Sequence, residues 1–298
     1  MNALSRSLLA GWIAALACAA QAQDPTKALG GLLRQISPGM LPSPSQQRAP
    51  AAGDLVGLLS QSFESIDEPK EIEIGRQLAA VLLGSKPLHG DAALQRYVNR
   101  LGRWIALQSP RPQLPWTFGV LDDPGFNAFA APGGFIFVTK GLVDSVDEAE
   151  LAGILAHEAT HVVEKHHLKA LSAKARSGLA TQLLASHLRS NLGGVVSAQM
   201  LALGRDLYSS GLDQSDEFEA DRQGVTLAAR SGFDPYGLPS VLQQLRTAAP
   251  DNPLFTLTLA THPPAQQRLE QLEAAMGSRL DAYSGKPSVA IARRVQQR

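Results

Sequence analysis

A chain of 298 residues that is 44% hydrophobic can bury a sizeable core, in one large domain or two small ones. Its 27 basic and 27 acidic residues cancel, which argues against a nucleic-acid or other polyanion binder. Aromatic residues make up only 5%, so the core has to come mostly from Leu, Val, Ile and Ala.

Arg6 precedes an apolar run over residues 8–20, and Ala20-Gln21-Ala22 offers an A-x-A cleavage site. Residues 1–22 therefore read as an export signal. The run falls short of the roughly 20 residues of a membrane span, so an uncleaved anchor is the lesser alternative. The one cysteine, Cys18, lies in this segment, and cleavage after Ala22 leaves a chain without disulfides. Lipid anchoring at Cys18 is the minor alternative, because Leu16 stands one position late for the usual processing pattern.

Residues 23–66 are rich in Pro, Ser and Gln and read as a linker with short helices. Ile72, Ile74, Leu78, Val81 and Leu82 then recur at helical spacing, predicting a helix over 68–83. A second helix is predicted over 91–108, ended by Pro110, Pro112 and Pro115. Residues 116–121 and 135–139 read as strands, the latter introduced by Pro132-Gly133-Gly134. Next comes a helix with a capping-box spacing at Ser145 and Glu148, uninterrupted by Pro or Gly from 154 to 176. Amphipathic pieces over 177–205, helices over 213–231, 238–247 and 265–276, and a polar tail over 277–298 complete the chain. The pattern is α+β, mostly helical with a small sheet, and its domain covers 67–276.

The third predicted helix carries His157-Glu158-Ala159-Thr160-His161. Histidines four apart share one helix face, about 6 Å from each other, so both imidazoles can reach one metal ion. Glu158 stands beside them as a carboxylate able to take a proton from a water activated by that metal. A catalytic zinc site needs a third protein ligand and an open position. The best source is Asp216-Glu217-Phe218-Glu219-Ala220-Asp221, where Glu217 and Asp221 share a face. One carboxylate can bind metal while the other accepts the remaining N–H of a ligand histidine.

With "HEATH" at 157 and "EFEAD" at 217, the chain resembles the M48 family of zinc metallopeptidases. Further matches are "EIEIGRQLA" from Glu71, "FNAFAAPGGFIFVTKGLV" from Phe126, "DEAELAGILAHEATHVVEKHH" from Asp147 and "THPPAQQRL" from Thr261. The resemblance spans about two-thirds of the chain. It implies one Zn2+ per chain on His157, His161 and Glu217, Glu158 as general base, and Asp221 as the carboxylate behind a ligand. It also implies that Phe135, Ile136, Phe137 and Val138 belong to an edge strand that binds extended substrate, with Asn127 shaping the approach. His262 is implied near the metal, as a latency switch or a catalytic donor, and Arg268 as a residue facing the cleft or holding its loop. The family often has Arg three residues before the glutamate ligand, where this chain has Gln214.

These readings predict an exported zinc endopeptidase of the periplasm. The resemblance implies cell-envelope quality control, with unfolded or misassembled envelope proteins as substrates and association with the outer membrane. The alternative is a chaperone-like binding module with a latent zinc site. Oligomeric state is left open.

Overall fold

The computed structural model describes residues 66–176, 211–249, 251–287 and 289–296. The export signal, Cys18, nearly all of the linker and the amphipathic pieces over 177–205 lie outside these residues. Helix α1 (Glu68–Ser85) starts at Asp67, whose side chain accepts from Lys70 N. Helix α2 (Ala92–Ala106) starts at Asp91, whose carboxylate accepts from Ala93 N and Leu94 N. Both caps are the short acceptors that helix starts favour.

Three strands form one mixed sheet: β1 (Thr117–Leu121), β2 (Ala128–Ala131) and β3 (Phe135–Thr139). Their order is β1-β3-β2, with β1 parallel to β3 from Thr117↔Phe135 to Leu121↔Thr139. β2 is antiparallel to β3, pairing Ala128↔Val138 through Ala131↔Phe135. The predicted edge position of Phe135, Ile136, Phe137 and Val138 is thus corrected. They form the central strand, hydrogen-bonded on both sides, and β2 is an outer strand.

Every residue of β3 is buried because both faces of the sheet are covered. Ile136 and Val138 join Phe118, Val120, Leu151 and Leu155 in the larger core. Phe135 and Phe137 join Ile74, Leu78 and Leu82 of α1 in a second core. The hairpin between β2 and β3 needs glycine: Gly133 has φ +75, and a Cβ there would lie 2.5 Å from Ile72 Cα. Gly133 N donates to Glu71 Oε1 at 3.2 Å. Glu71 is fully buried, and its carboxylate also accepts from Arg111 at 2.8 and 3.0 Å.

After the short α3 (Lys140–Ser145) comes α4 (Glu148–Val163). Its start is not capped by Ser145. Asp147 is the N-cap, in a full capping box with Glu150. Nor does the helix run on to 176. Lys165 adopts φ 58, and α5 (His166–Arg176) begins anew. Lys165 Nζ lies 3.2 Å from buried Glu71 Oε2, a charge contact that holds this break in place.

Helices α6 (Gln214–Arg230) and α7 (Gly237–Thr247) pack on α4, and after α8 (Thr256–Thr261), α9 (Ala265–Met276) packs on α6 and α7. The tail predicted to be polar returns to the domain. Val289 O accepts from Glu148 N at 3.0 Å, and α10 (Ile291–Gln296) buries Ile291 in the larger core. Arg294 closes on Glu148 Oε2 at 2.7 and 3.0 Å. Among the described residues no helix is long and apolar enough to cross a membrane.

Candidate metal centre

α4 and α6 bring the predicted ligands together. A Cβ on Gly224 would meet His157 Cα at 2.9 Å, so only glycine lets α6 lie this close to the metal-facing turn. His157 Nε2 and His161 Nε2 face each other at 3.0 Å. Glu217 reaches them from α6, its carboxylate oxygens 3.7 Å from His157 Nε2 and 3.6 Å from His161 Nε2. All three residues are buried, and their donor atoms lie within 4.8 Å of one another. Ligands about 2.1 Å from a tetrahedral ion lie roughly 3.4 Å apart, so these spacings suit a single ion.

The proton count leads to the same result. His157 Nδ1 is 3.0 Å from Asp221 Oδ1, which assigns its hydrogen to Nδ1 and a lone pair to Nε2. Glu217 Oε2 is buried with no hydrogen-bond partner. Two imidazole nitrogens and a carboxylate thus converge with too few hydrogens to satisfy them, and a cation meets that need.

The wider match agrees with this geometry. The pattern described as Peptidase family M48 matches residues 90–276. The chain belongs to Peptidase family M48. It is similar to the Beta-barrel assembly-enhancing protease of Escherichia coli (strain K12), 32% identical over 235 residues, 75% of this chain and 48% of that protein. It is also similar to the Mitochondrial metalloendopeptidase OMA1 of Schizosaccharomyces pombe, 30% identical over 178 residues, 59% of this chain and 51% of that one. A Protease HtpX homolog of Salinibacter ruber is 30% identical over 221 residues, 62% of this chain and 74% of that protein. The chain spans about half the length of the beta-barrel assembly-enhancing proteases it matches.

In this M48 chain Asp221 is held by Arg268, whose Nε and Nη2 donate to its two oxygens at 2.8 and 2.5 Å. Burial alone would raise the Asp221 pKa, but the Arg268 charge and the bonds from Arg268 and His157 hold it below the usual carboxylate range. Arg268 is itself buried behind His157 and lines a pocket shared with Glu158 and His262, its Nη1 3.9 Å from Glu217 Oε2. Burial also pushes Glu158 up to about 7, with the Glu217 charge adding to the rise. For His161, burial and the neighbouring His157 hold the imidazole well below its ordinary value, so it stays neutral.

Glu158, His161, Glu217 and His262 line one cleft together with Asn127, Ala128, Phe129 and Ala130. Among the described residues, then, the strand beside the ligands is β2, which sequence reading missed. Its four residues, Ala128-Phe129-Ala130-Ala131, are too short and too rich in alanine to show alternation. Asn127 stands at its head, where its backbone N donates to Thr139 Oγ1 at 3.0 Å. His262 ends α8. Its Nδ1 lies 3.2 Å from Thr258 O and its Nε2 3.8 Å from Glu217 Oε2. The carbonyl at Nδ1 fixes the hydrogen there, so the Nε2 lone pair faces the ligand set. His167, which had no predicted partner, lines the same cleft with its ring 5.4 Å from that of His161. A lone histidine carries no periodic signal, so nothing in the sequence marked it.

Proposed function

We propose that this chain is an exported zinc-dependent endopeptidase of cell-envelope protein quality control. The observation that carries the reading is the donor set of His157, His161 and Glu217, opening beside Glu158 onto a cleft walled by β2. Two imidazoles and one carboxylate suit zinc. When bound there, zinc supplies a Lewis acid that polarises the scissile carbonyl and acidifies the attacking water. Glu158 takes the proton of that water and returns it to the leaving amine. Asp221 and Arg268 keep the His157 tautomer and ring orientation. An extended substrate lies along β2, the outer strand whose Ala128, Phe129 and Ala130 line the cleft.

Similarity to beta-barrel assembly-enhancing proteases supports misassembled envelope proteins, outer-membrane proteins among them, as substrates. The export signal read over residues 1–22 supports a periplasmic location, with the outer membrane as an associated surface. The second reading, a chaperone-like module with a latent site, is favoured by one observation. His262 aims the Nε2 lone pair at the ligand set, where it can fill the position that water needs.

Casein hydrolysis by the mature chain tests both readings, run beside Glu158→Gln, a chelated sample and His262→Ala. Cleavage that disappears with Glu158→Gln and with chelator supports the peptidase. Cleavage seen only in His262→Ala supports the latent site. Zinc-loaded protein inert in every sample overturns the peptidase reading.

A further inference from the structure

A second group of side chains beside the ligand triad is arranged for a cation. His166 is 0% exposed, and its Nε2 has no hydrogen-bond partner. That atom points between Asp216 Oδ1 at 3.6 Å and Glu219 Oε2 at 3.4 Å. Both distances are long for a hydrogen bond to a carboxylate and match the roughly 3.4 Å between ligands of a tetrahedral ion. The three donor atoms lie within 4.8 Å of one another. Asp216 and Glu219, three apart on α6, share a face there. Their side chains are 20% and 38% exposed, so solvent ions can reach them. Glu219 Oε1 is occupied by Gln223 Nε2 at 2.9 Å, which leaves Oε2 for His166.

The break at Lys165 makes this possible. In a continuous helix His166 would lie about 140° around from His161. Restarting the helix instead brings His166 Nδ1 to 2.9 Å from His161 Nδ1.

We propose that His166, Asp216 and Glu219 form a second, weaker site for a divalent transition metal, and that filling it opposes metal binding at the first. One imidazole with two carboxylates suits zinc or manganese. The proposal rests on the peptidase reading for the first site. The antagonism follows from the hydrogen count between the two rings. A neutral His161 that holds metal through Nε2 carries its hydrogen on Nδ1, and His166 Nδ1 must accept it. A neutral His166 that holds metal through Nε2 carries its own hydrogen on Nδ1. Two N–H groups cannot share a 2.9 Å gap, so a second ion binds only if one ring turns away, which loosens the hold of His161 on the first. The second site is the weaker because its two carboxylates are partly exposed to competing water, whereas the three donors of the first are all buried.

The test titrates the metal-stripped full chain with Zn2+ in a calorimeter while casein hydrolysis is followed in parallel. Wild-type protein should bind one tight equivalent and then a second, with cleavage rising on the first and falling on the second. The double variant Asp216→Asn, Glu219→Gln should lose the second event. Relative to its own one-equivalent activity, it should need at least about tenfold more zinc for inhibition. His157→Ala, with the first site broken, should bind zinc at the second site about tenfold tighter than wild type does. A single equivalent in wild-type protein, or an unchanged second event in the double variant, overturns the proposal. Two-step binding without casein cleavage at any zinc level supports the second site and overturns the peptidase reading instead.

Discussion

Asp221 Oδ1 lies 3.0 Å from His157 Nδ1, and that contact decides which imidazole nitrogen faces the ligand triad. Arg268 grips both oxygens of the same carboxylate from α9, so a residue on α9 orients a side chain on α4. The orienting power comes from burial. Asp221 is 1% exposed and Arg268 4%, and neither can exchange its partner for water.

Asp221→Asn should therefore weaken zinc binding by about 10–100-fold, because the amide fixes the His157 tautomer less well. Arg268→Ala should cost more in stability than in chemistry, about 3–5 kcal/mol, since it strands a buried carboxylate. Competition with a fluorescent zinc chelator and urea denaturation measure the two effects separately.

Glu158→Gln should lower casein hydrolysis by about 10²–10⁴-fold, the usual worth of a general base. Zinc content, read by atomic absorption, should stay at one equivalent, as Glu158 is not among the converging donors.

Gly224→Ala places a methyl group 2.9 Å from His157 Cα and N, against backbone that has no rotamer to move. It should destabilise the domain by about 1–3 kcal/mol. It should also weaken zinc binding, because α6 carries Glu217. A variant with wild-type Tm and zinc affinity would show that the two helices adjust freely.

Removing the metal should lower Tm. At zinc a thousandfold above Kd the bound ion contributes about 4 kcal/mol, on the order of 10 °C for a domain of this size. Thermal melts with and without chelator measure it, and His157→Ala should show a smaller difference.

Asp91, the N-cap of α2, is held below the ordinary carboxylate value by the backbone N–H of Leu94, with Ala93 N adding to the effect. A depressed folded pKa gives stability that is present above the unfolded value, about 3.9, and fades as pH falls below it. Asp91→Asn keeps an acceptor at the cap but cannot titrate. Urea midpoints between pH 3 and 7 should accordingly fall less steeply with acid in Asp91→Asn than in wild-type protein.

Much of the site could be read in advance because its signals are local. His157 and His161 share a face through helix geometry alone, and Glu217 with Asp221 repeats the same spacing on a second helix. The edge position of Phe135-Ile136-Phe137-Val138 was implied by the resemblance, and the residues themselves, a continuous apolar run, could not correct it. Such a run reports burial on both faces and says nothing of where a strand sits in its sheet. β2 and the docked tail carried too weak a periodic signal to be read, and the cap at Asp147 was displaced by an equally spaced pair at Ser145 and Glu148.

The sequence by itself determined the candidate donor residues, the helices that carry them and the family, because each depends on residue identity at short spacing. Only the tertiary structure decided that β2 walls the cleft, that Arg268 grips Asp221, and that His166 turns back onto His161. Those outcomes depend on sheet order, on a helix crossing closed by Gly224, and on a single positive φ at Lys165 held by buried Glu71. Each is a contact between residues far apart in the chain or a backbone state that the residue type does not favour, and neither leaves a periodic trace in the sequence.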